Sequence, residues 1–298
     1  MSELLTVSKI TLDLHFTTPA KLPYWMGSAF RGGFGQNLRR ACCTNLNKDC
    51  QVCDTKENCL FYYTHMKMKA ERGYAPPQKP IILIPPFFGK EMCFEKDGHL
   101  DAELLFFGDF RKYLPHAFLG MSLLGQTGIG SVRCDGRNRF EIASATCNFS
   151  GQNVYDGKTI NLTNLMSMDV SDVAGYDGNY AKIGFKTPFT GRTFPLEFSD
   201  LLYLVRNRLI RFVNEYGNKE KIPEFIAKGN IKNCSKHYHE LPRRSMRSDK
   251  TLFKGYTGVI EYDIKEMDDV GRWLLNLGLI IGCGPDSSFG CGFLQNID

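Results

Sequence analysis

Two histidines, His237 and His239, stand one residue apart in the most basic stretch of the chain, CSKHYHELPRRSMRSDK. As alternate residues they share one face of an extended segment. Histidine titrates near neutrality, so it can take up or release a proton at physiological pH. From Lys228 to Lys254 the chain carries eight Lys or Arg and two acids. That segment nets +6 against +5 for the whole chain, so the remainder nets −1. One basic stretch on an otherwise balanced protein is the electrostatic footprint of a polyanion site.

A second chemistry belongs to cysteine. Five of the eleven cysteines fall between Cys42 and Cys59. Cys50 and Cys53 form a Cys-x2-Cys pair, Cys59 follows after five residues, and Cys43 (or Cys42) precedes by six. Thiolates this close in sequence suit a tetrahedral Zn²⁺ or an iron–sulfur cluster. The spacing matches no ferredoxin pattern, which puts zinc ahead of iron–sulfur. Cys43, Cys50, Cys53 and Cys59 are the expected ligands. Four thiolates leave no open coordination position, so the site would staple a loop and take no part in catalysis.

The third feature is the end of the chain, GLIIGCGPDSSFGCGFLQNID. An apolar run breaks into a loop with Gly282, Gly284, Gly290 and Gly292 around Ser287 and Ser288. Successive N–H groups in such a loop can form a concave anion site. The Lys-Ser/Thr ending of a nucleotide-binding P-loop is missing.

The remaining elements must position these groups. Residues 10–16, ITLDLHF, alternate as a half-buried strand with His15 on the polar face. Met26, Phe30, Phe34 and Leu38 mark one face of a helix. Gly27, Gly32, Gly33 and Gly35 in that helix suggest close approach of a backbone or a ligand. Arg31, Arg39 and Arg40 are its basic members. Strands are expected at 103–108 and in RNRFEIASATC, with a helix and a glycine turn (128–130) between them. Polar residues 149–178 read as a linker or insertion. The pattern then restarts with the strand YAKIGFKT, the helix FSDLLYLVRNRLIRFVNEYG capped by Ser199 or Asp200 and stopped at Gly217, the strand LFKGYTGVIEYDI and the helix MDDVGRWLLNLG. Each half gives strand–helix–strands–helix–strand, the βαββαβ arrangement. The expected class is α+β: tandem ferredoxin-like (RRM-like) domains at 1–150 and 179–298. The cysteine insertion (42–59) lies in the first domain, 151–178 links them, and the Gly-rich loop ends the second.

Hydrophobic content of 43% with 23% charged residues describes a globular protein. No apolar run approaches the ~20 residues of a bilayer span, and the first residues lack a signal-peptide layout. A cytoplasmic protein without a membrane partner is expected.

With these blocks in order, the chain resembles the CRISPR repeat-processing endoribonucleases of the RAMP superfamily. GSAFRGGFGQNLR followed by C-x6-C-x2-C-x5-C and FYY resembles that family's glycine–arginine helix and cysteine insertion. LLFFGDFRKYLPHAFLGMSLLGQTGIGSVR and FKTPFTGRTFPLEFSDLLYLVRNRL resemble its central segment and the start of its second domain. ELPRRSMRSDKTLFKGYTGVIEY resembles its Arg-Ser-x-Arg stretch, and LGLIIGCGPDSSFGCGF its C-terminal signature loop. The resemblance implies binding of CRISPR repeat RNA and one metal-independent cut, in which the RNA's own 2′-OH attacks the scissile phosphate. It also implies a guide-bearing product kept by the protein or passed to an effector complex. On this reading His239 or His237 is the proton carrier. Arg31, Arg39, Arg40, Arg243, Arg244, Arg247 and Lys254 hold phosphates, and Gly282, Gly284, Ser288, Gly290 and Gly292 cradle the RNA backbone. Many members place a histidine in the first helix region. Here none lies between Lys21 and Cys59, which makes Tyr24 and His65 further catalytic candidates. The alternative is a non-catalytic RAMP subunit that binds guide RNA in an effector complex.

Overall fold

The computed structural model describes residues 3–72, 76–130, 136–242 and 252–297. The chain forms two units of mixed α and β structure, Leu5–Met168 and Met1–Leu4 with Asp169–Asp298.

The N-terminal unit runs β1 (Thr6–Phe16), β2 (Ala20–Leu22), α1 (Gly27–Cys42), β3 (Ile81–Ile84), β4 (Met92–Phe94), β5 (His99–Phe107), α2 (Leu114–Thr127), β6 (Phe140–Cys147) and β7 (Asn153–Tyr155). Its sheet has the order β3-β5-β1-β6-β7, and β1 is antiparallel to both β5 and β6. The alternation in β1 places Ile10, Leu12, Leu14 and Phe16 in the core, all fully buried. The helical face Met26, Phe30, Phe34 and Leu38 packs into the same core with Phe118, Met121 and Leu124 of α2. Each such side chain stabilises by about 1.5–3 kcal/mol when fully buried.

Glycines set how closely these layers approach. A Cβ on Gly125 of α2 would stand 2.1 Å from the Phe140 carbonyl oxygen of β6. In α1, a Cβ on Gly33 would meet Leu124 and one on Gly35 would meet the His65 ring, whereas Gly32 faces open space. For Gly33 and Gly35, then, the close approach expected from the sequence is by the protein's own side chains.

The main segment of the C-terminal unit begins at Asp169, the last residue of the short strand β8 (Met168–Asp169). It runs β9 (Tyr180–Phe189), α3 (Phe198–Tyr216), β10 (Ala227–Pro242), β11 (Leu252–Met267), α4 (Asp269–Ile281) and β12 (Leu294–Asn296). Its sheet has the order β10-β11-β9-β12 with antiparallel neighbours. Leu201, Leu202, Val205, Leu209 and Phe212 of α3 are buried, as are Leu274, Leu277 and Ile281 of α4. Helix α3 starts at Phe198 after Glu197, ahead of the expected caps, and stops at Gly217 as expected.

The expected boundary moves. Residues 151–168 belong to the N-terminal unit, because β7 pairs with β6 and Val154 and Leu165 are buried in that unit's core. From Val170 onward the segment joins the C-terminal unit, where the Trp273 indole N–H donates to the Val170 carbonyl at 2.8 Å. Among the described residues no helix is long and apolar enough to cross a membrane.

Two glycine substitutions should act with opposite sign. Gly125→Ala forces α2 off β6 and should cost about 1–3 kcal/mol of unfolding free energy. Gly32→Ala meets nothing within 4 Å and should stabilise by about 0.5–1 kcal/mol through helix propensity. Urea midpoints at unchanged slope check both.

Candidate nucleic-acid interface

Strands β10 and β11 pair along their whole length, a ribbon about 50 Å long. β9 backs β11 only from Tyr256 to Asp263. The sequence reading named β11 but left most of β10 without an element, since β10 is largely exposed on both faces and lacks apolar alternation. Arg243, Arg244 and Arg247 lie outside the described residues.

Register sorts this ribbon into two faces. His237 opposes Thr257 and His239 opposes Gly255, so both histidines share one face, as expected. His237 is exposed and His239 half-buried. The His239 Nε2 lies 2.7 Å from the Thr257 hydroxyl. Burial, and then the neighbouring charge of His237, hold the His239 pKa below 6.5. His239 is therefore neutral at pH 7, the form that accepts a proton. The opposite face carries Lys236, Tyr238, Lys254 and Tyr256, with Lys254 paired in register to Glu240. Lys254 thus belongs to a different face from the histidines. Tyr238 and Tyr256 are 5.5 Å apart, and Tyr256 stacks on Phe194 at 5.4 Å. The sequence reading missed both tyrosines; their alternation with lysines was the available signal.

The Gly-rich loop follows α4 and is held from within. Arg208 of α3 donates to the carbonyls of Ile281, Cys283 and Gly284 at 2.7, 2.7 and 2.6 Å. Its guanidinium sits over the Phe293 ring, and burial lowers its pKa to about 10. Ile281 ends α4, so the cation meets the negative end of a helix. Gly282, Gly284, Gly290 and Gly292 all have positive φ. A Cβ on Gly292 would meet the Cys283 carbonyl oxygen at 2.1 Å. The N–H groups of Gly282, Gly290 and Gly292 already donate to Gly278, Ser287 and Pro188, and all three glycines are buried. These amides are spent on α4, the loop and β9, contrary to the expected RNA cradle. Of the expected cradle only Gly284 and Ser288 reach the surface in part. Phe289 and Phe293 are buried, and Phe289 packs on Phe253 of β11 at 5.2 Å.

In the N-terminal unit two candidates serve packing. His65 stacks on Phe61 with ring centroids 5.2 Å apart, touches the Thr64 hydroxyl at 2.8 Å and the Arg31 carbonyl at 3.4 Å, and lies against Gly35. Arg39 donates to the carbonyls of Leu46 and Lys48. Arg40 is exposed, while Tyr24 and Arg31 are half-buried. His15, on the polar face of β1 as expected, contacts Glu141 at 3.0 Å and Asp97 at 3.2 Å. Its pKa is raised, first by the Glu141 hydrogen bond.

Cys42, Cys43, Cys50, Cys53 and Cys59 line one cavity of about 400 Å³ with Lys48 and Lys56. All five are free thiols. Cys50 has Cys43, Cys59 and Cys53 as electrostatic neighbours. Among the described residues no three His, Cys, Asp or Glu side chains already stand in metal-holding geometry.

Arg208→Lys should lower stability by about 2 kcal/mol or more. An ammonium cannot span three carbonyls, and those left over stay buried without a donor. Thermal melting of this variant beside Arg40→Lys, which should melt as the wild type does, checks the assignment.

Thermus thermophilus Cas6 (TTHB231) superimposes with a TM-score of 0.54 at 14% identity, covering 98% of this chain and 99% of that one. The Cas6 (TTHB231) product complex gives 0.55 at 14% identity over 98% and 99%. A Cas6-related protein of Pyrococcus furiosus gives 0.50 at 11% over 98% and 99%. At these identities the likeness is one of fold. An uncharacterized protein of Archaeoglobus fulgidus is 36% identical over 296 residues, 99% of each chain. The N-terminal domain model of AF_1859 matches residues 5–166 and the C-terminal domain model matches residues 181–296. On these matches, the chain belongs to the AF_1859 family.

Proposed function

We propose that this protein binds CRISPR repeat RNA in the cytoplasm and cuts it once without a catalytic metal, yielding a 2′,3′-cyclic phosphate and a 5′-OH. The observation that carries the reading is the β10–β11 ribbon, with two histidines on one face and an aromatic–lysine surface on the other. Both units place their strands in the spatial order second, third, first, fourth, which is consistent with tandem ferredoxin-like domains. The likeness to the Cas6 folds, one of them a product complex, supports RNA as the partner.

The chemistry needs no group beyond the RNA and the chain. The 2′-OH is the nucleophile. His239, neutral because burial disfavours its cation, takes the 2′-OH proton, and the Thr257 hydroxyl orients its ring. His237, two strand positions and roughly 7 Å along, protonates the departing 5′-oxygen. Two such groups bracketing one phosphate supply the base and acid of an in-line displacement. Lys236 and Lys254 with Tyr238 and Tyr256 hold the flanking strand, since lysines meet phosphates and aromatic rings stack bases. Arg243, Arg244 and Arg247 lie between the two strands in sequence and add positive charge to that stretch. Transfer of the product to an effector complex is the downstream step of this reading.

Labelled repeat RNA in EDTA tests this. The wild type should make a single cut, and His239→Ala should slow it about 100-fold or more with RNA affinity kept. A cut at the wild-type rate in both His239→Ala and His237→Ala would remove the histidines from the chemistry. Tight binding with no cut by the wild type would make the chain a binding subunit.

The pH profile follows from the lowered His239 pKa. A base must be deprotonated, so the low-pH limb of the cleavage rate should have its midpoint below 6.5. An acid limb above 6.5 would contradict His239 as the base.

A further inference from the structure

The stretch from Cys43 to Cys59 keeps a defined path without a core of its own. None of its residues is buried, and its large apolar side chains, Leu46 and Val52, are 51% and 67% exposed. Its regular structure is two three-residue turns, Cys50–Val52 and Lys56–Asn58. The half-buried residues are Cys43, Cys50, Cys53 and Cys59 with Lys48 and Lys56. All six line the same cavity. Hydrophobic burial cannot offset the ordering entropy of such a segment, and small coreless segments are ordinarily held by disulfides or a metal. The cysteines here are free thiols, so a disulfide does not hold it.

We propose that Cys43, Cys50, Cys53 and Cys59 bind one Zn²⁺ as a closed four-thiolate site that orders residues 43–59. The donor set fits the ion: four soft sulfurs with Cys-x2-Cys at the centre match tetrahedral structural zinc, with Zn–S bonds of roughly 2.3 Å. The sulfurs share a cavity but have not converged to such distances. That is expected of a site whose closure accompanies binding, because zinc affinity is then spent on folding the segment. Four thiolates around Zn²⁺ leave a net charge of −2. Lys56 at the cavity wall, and Arg39, whose guanidinium holds the Leu46 and Lys48 carbonyls, supply compensating positive charge, while Lys48 is already paired with Asp54 at 2.6 Å. Cys42 ends α1 and stays outside the set. The staple anchors the segment between α1 and the Phe61–His65 stack of the N-terminal unit.

The test uses the full chain purified without chelator. Elemental analysis should find one zinc per chain. Replacement by Co²⁺ should give the intense visible bands of tetrahedral cobalt with thiolate charge transfer. Cys50→Ser and Cys53→Ser should lose the zinc and these bands, while Cys42→Ser and Cys93→Ser retain both. Limited proteolysis should cut the zinc-stripped chain within 43–59 and leave the C-terminal unit whole, which separates loss of the staple from loss of the fold. Iron with acid-labile sulfide in place of zinc, disulfides among the four cysteines, or a Co²⁺ spectrum without thiolate bands would overturn the proposal.

Discussion

The guanidinium of Arg208 is buried with no carboxylate among its described partners, and the C-terminal unit is arranged to make that tolerable. Removing a cation from water costs several kcal/mol unless its hydrogen-bonding capacity is met. Here three carbonyls engage its two terminal nitrogens, one at the end of α4 and two on the loop that leaves it, while its Nε is buried without a hydrogen-bond partner among the described residues. The loop must therefore curl back on α3, and only glycine tolerates the backbone this demands at 282 and 292. The curl seats Phe293 beside the cation and Phe289 against Phe253. That last contact packs the loop onto the strand opposite the histidines.

The Gly-rich loop and the ribbon thereby divide the work. The loop is a bracket whose glycine amides are committed to α4, its own turn and β9. The ribbon carries two histidines on one face and aromatic and cationic side chains on the other. Its histidines differ because their surroundings differ: His239 lies half-buried against Thr257, while His237 stands in solvent.

The sequence showed what periodicity and local chemistry control. The α1 face, the whole of α3 and the β1 alternation follow from apolar spacing and are observed. The histidine pair was legible because alternation in an extended segment fixes a shared face. What was missed depends on long-range contacts. Whether His65 is surface or packing turns on Gly35, thirty positions earlier in sequence. Arg39 reads as a phosphate ligand until the Leu46 and Lys48 carbonyls are seen beside it. A Gly-rich loop reads equally as an anion cradle and as a tight self-contact; Arg208, more than seventy residues upstream, decides it. Residues 151–168 are polar enough to resemble a linker, yet Val154 and Leu165 tie them to the N-terminal core.

The central claim is that the RNA supplies its own nucleophile and the histidine face moves the protons. Its most direct test replaces one 2′-OH by hydrogen at the cut position of the repeat RNA. The account predicts that this RNA binds as tightly as the unmodified one and is not cut there. Cleavage of the 2′-deoxy RNA at the same phosphate would contradict it.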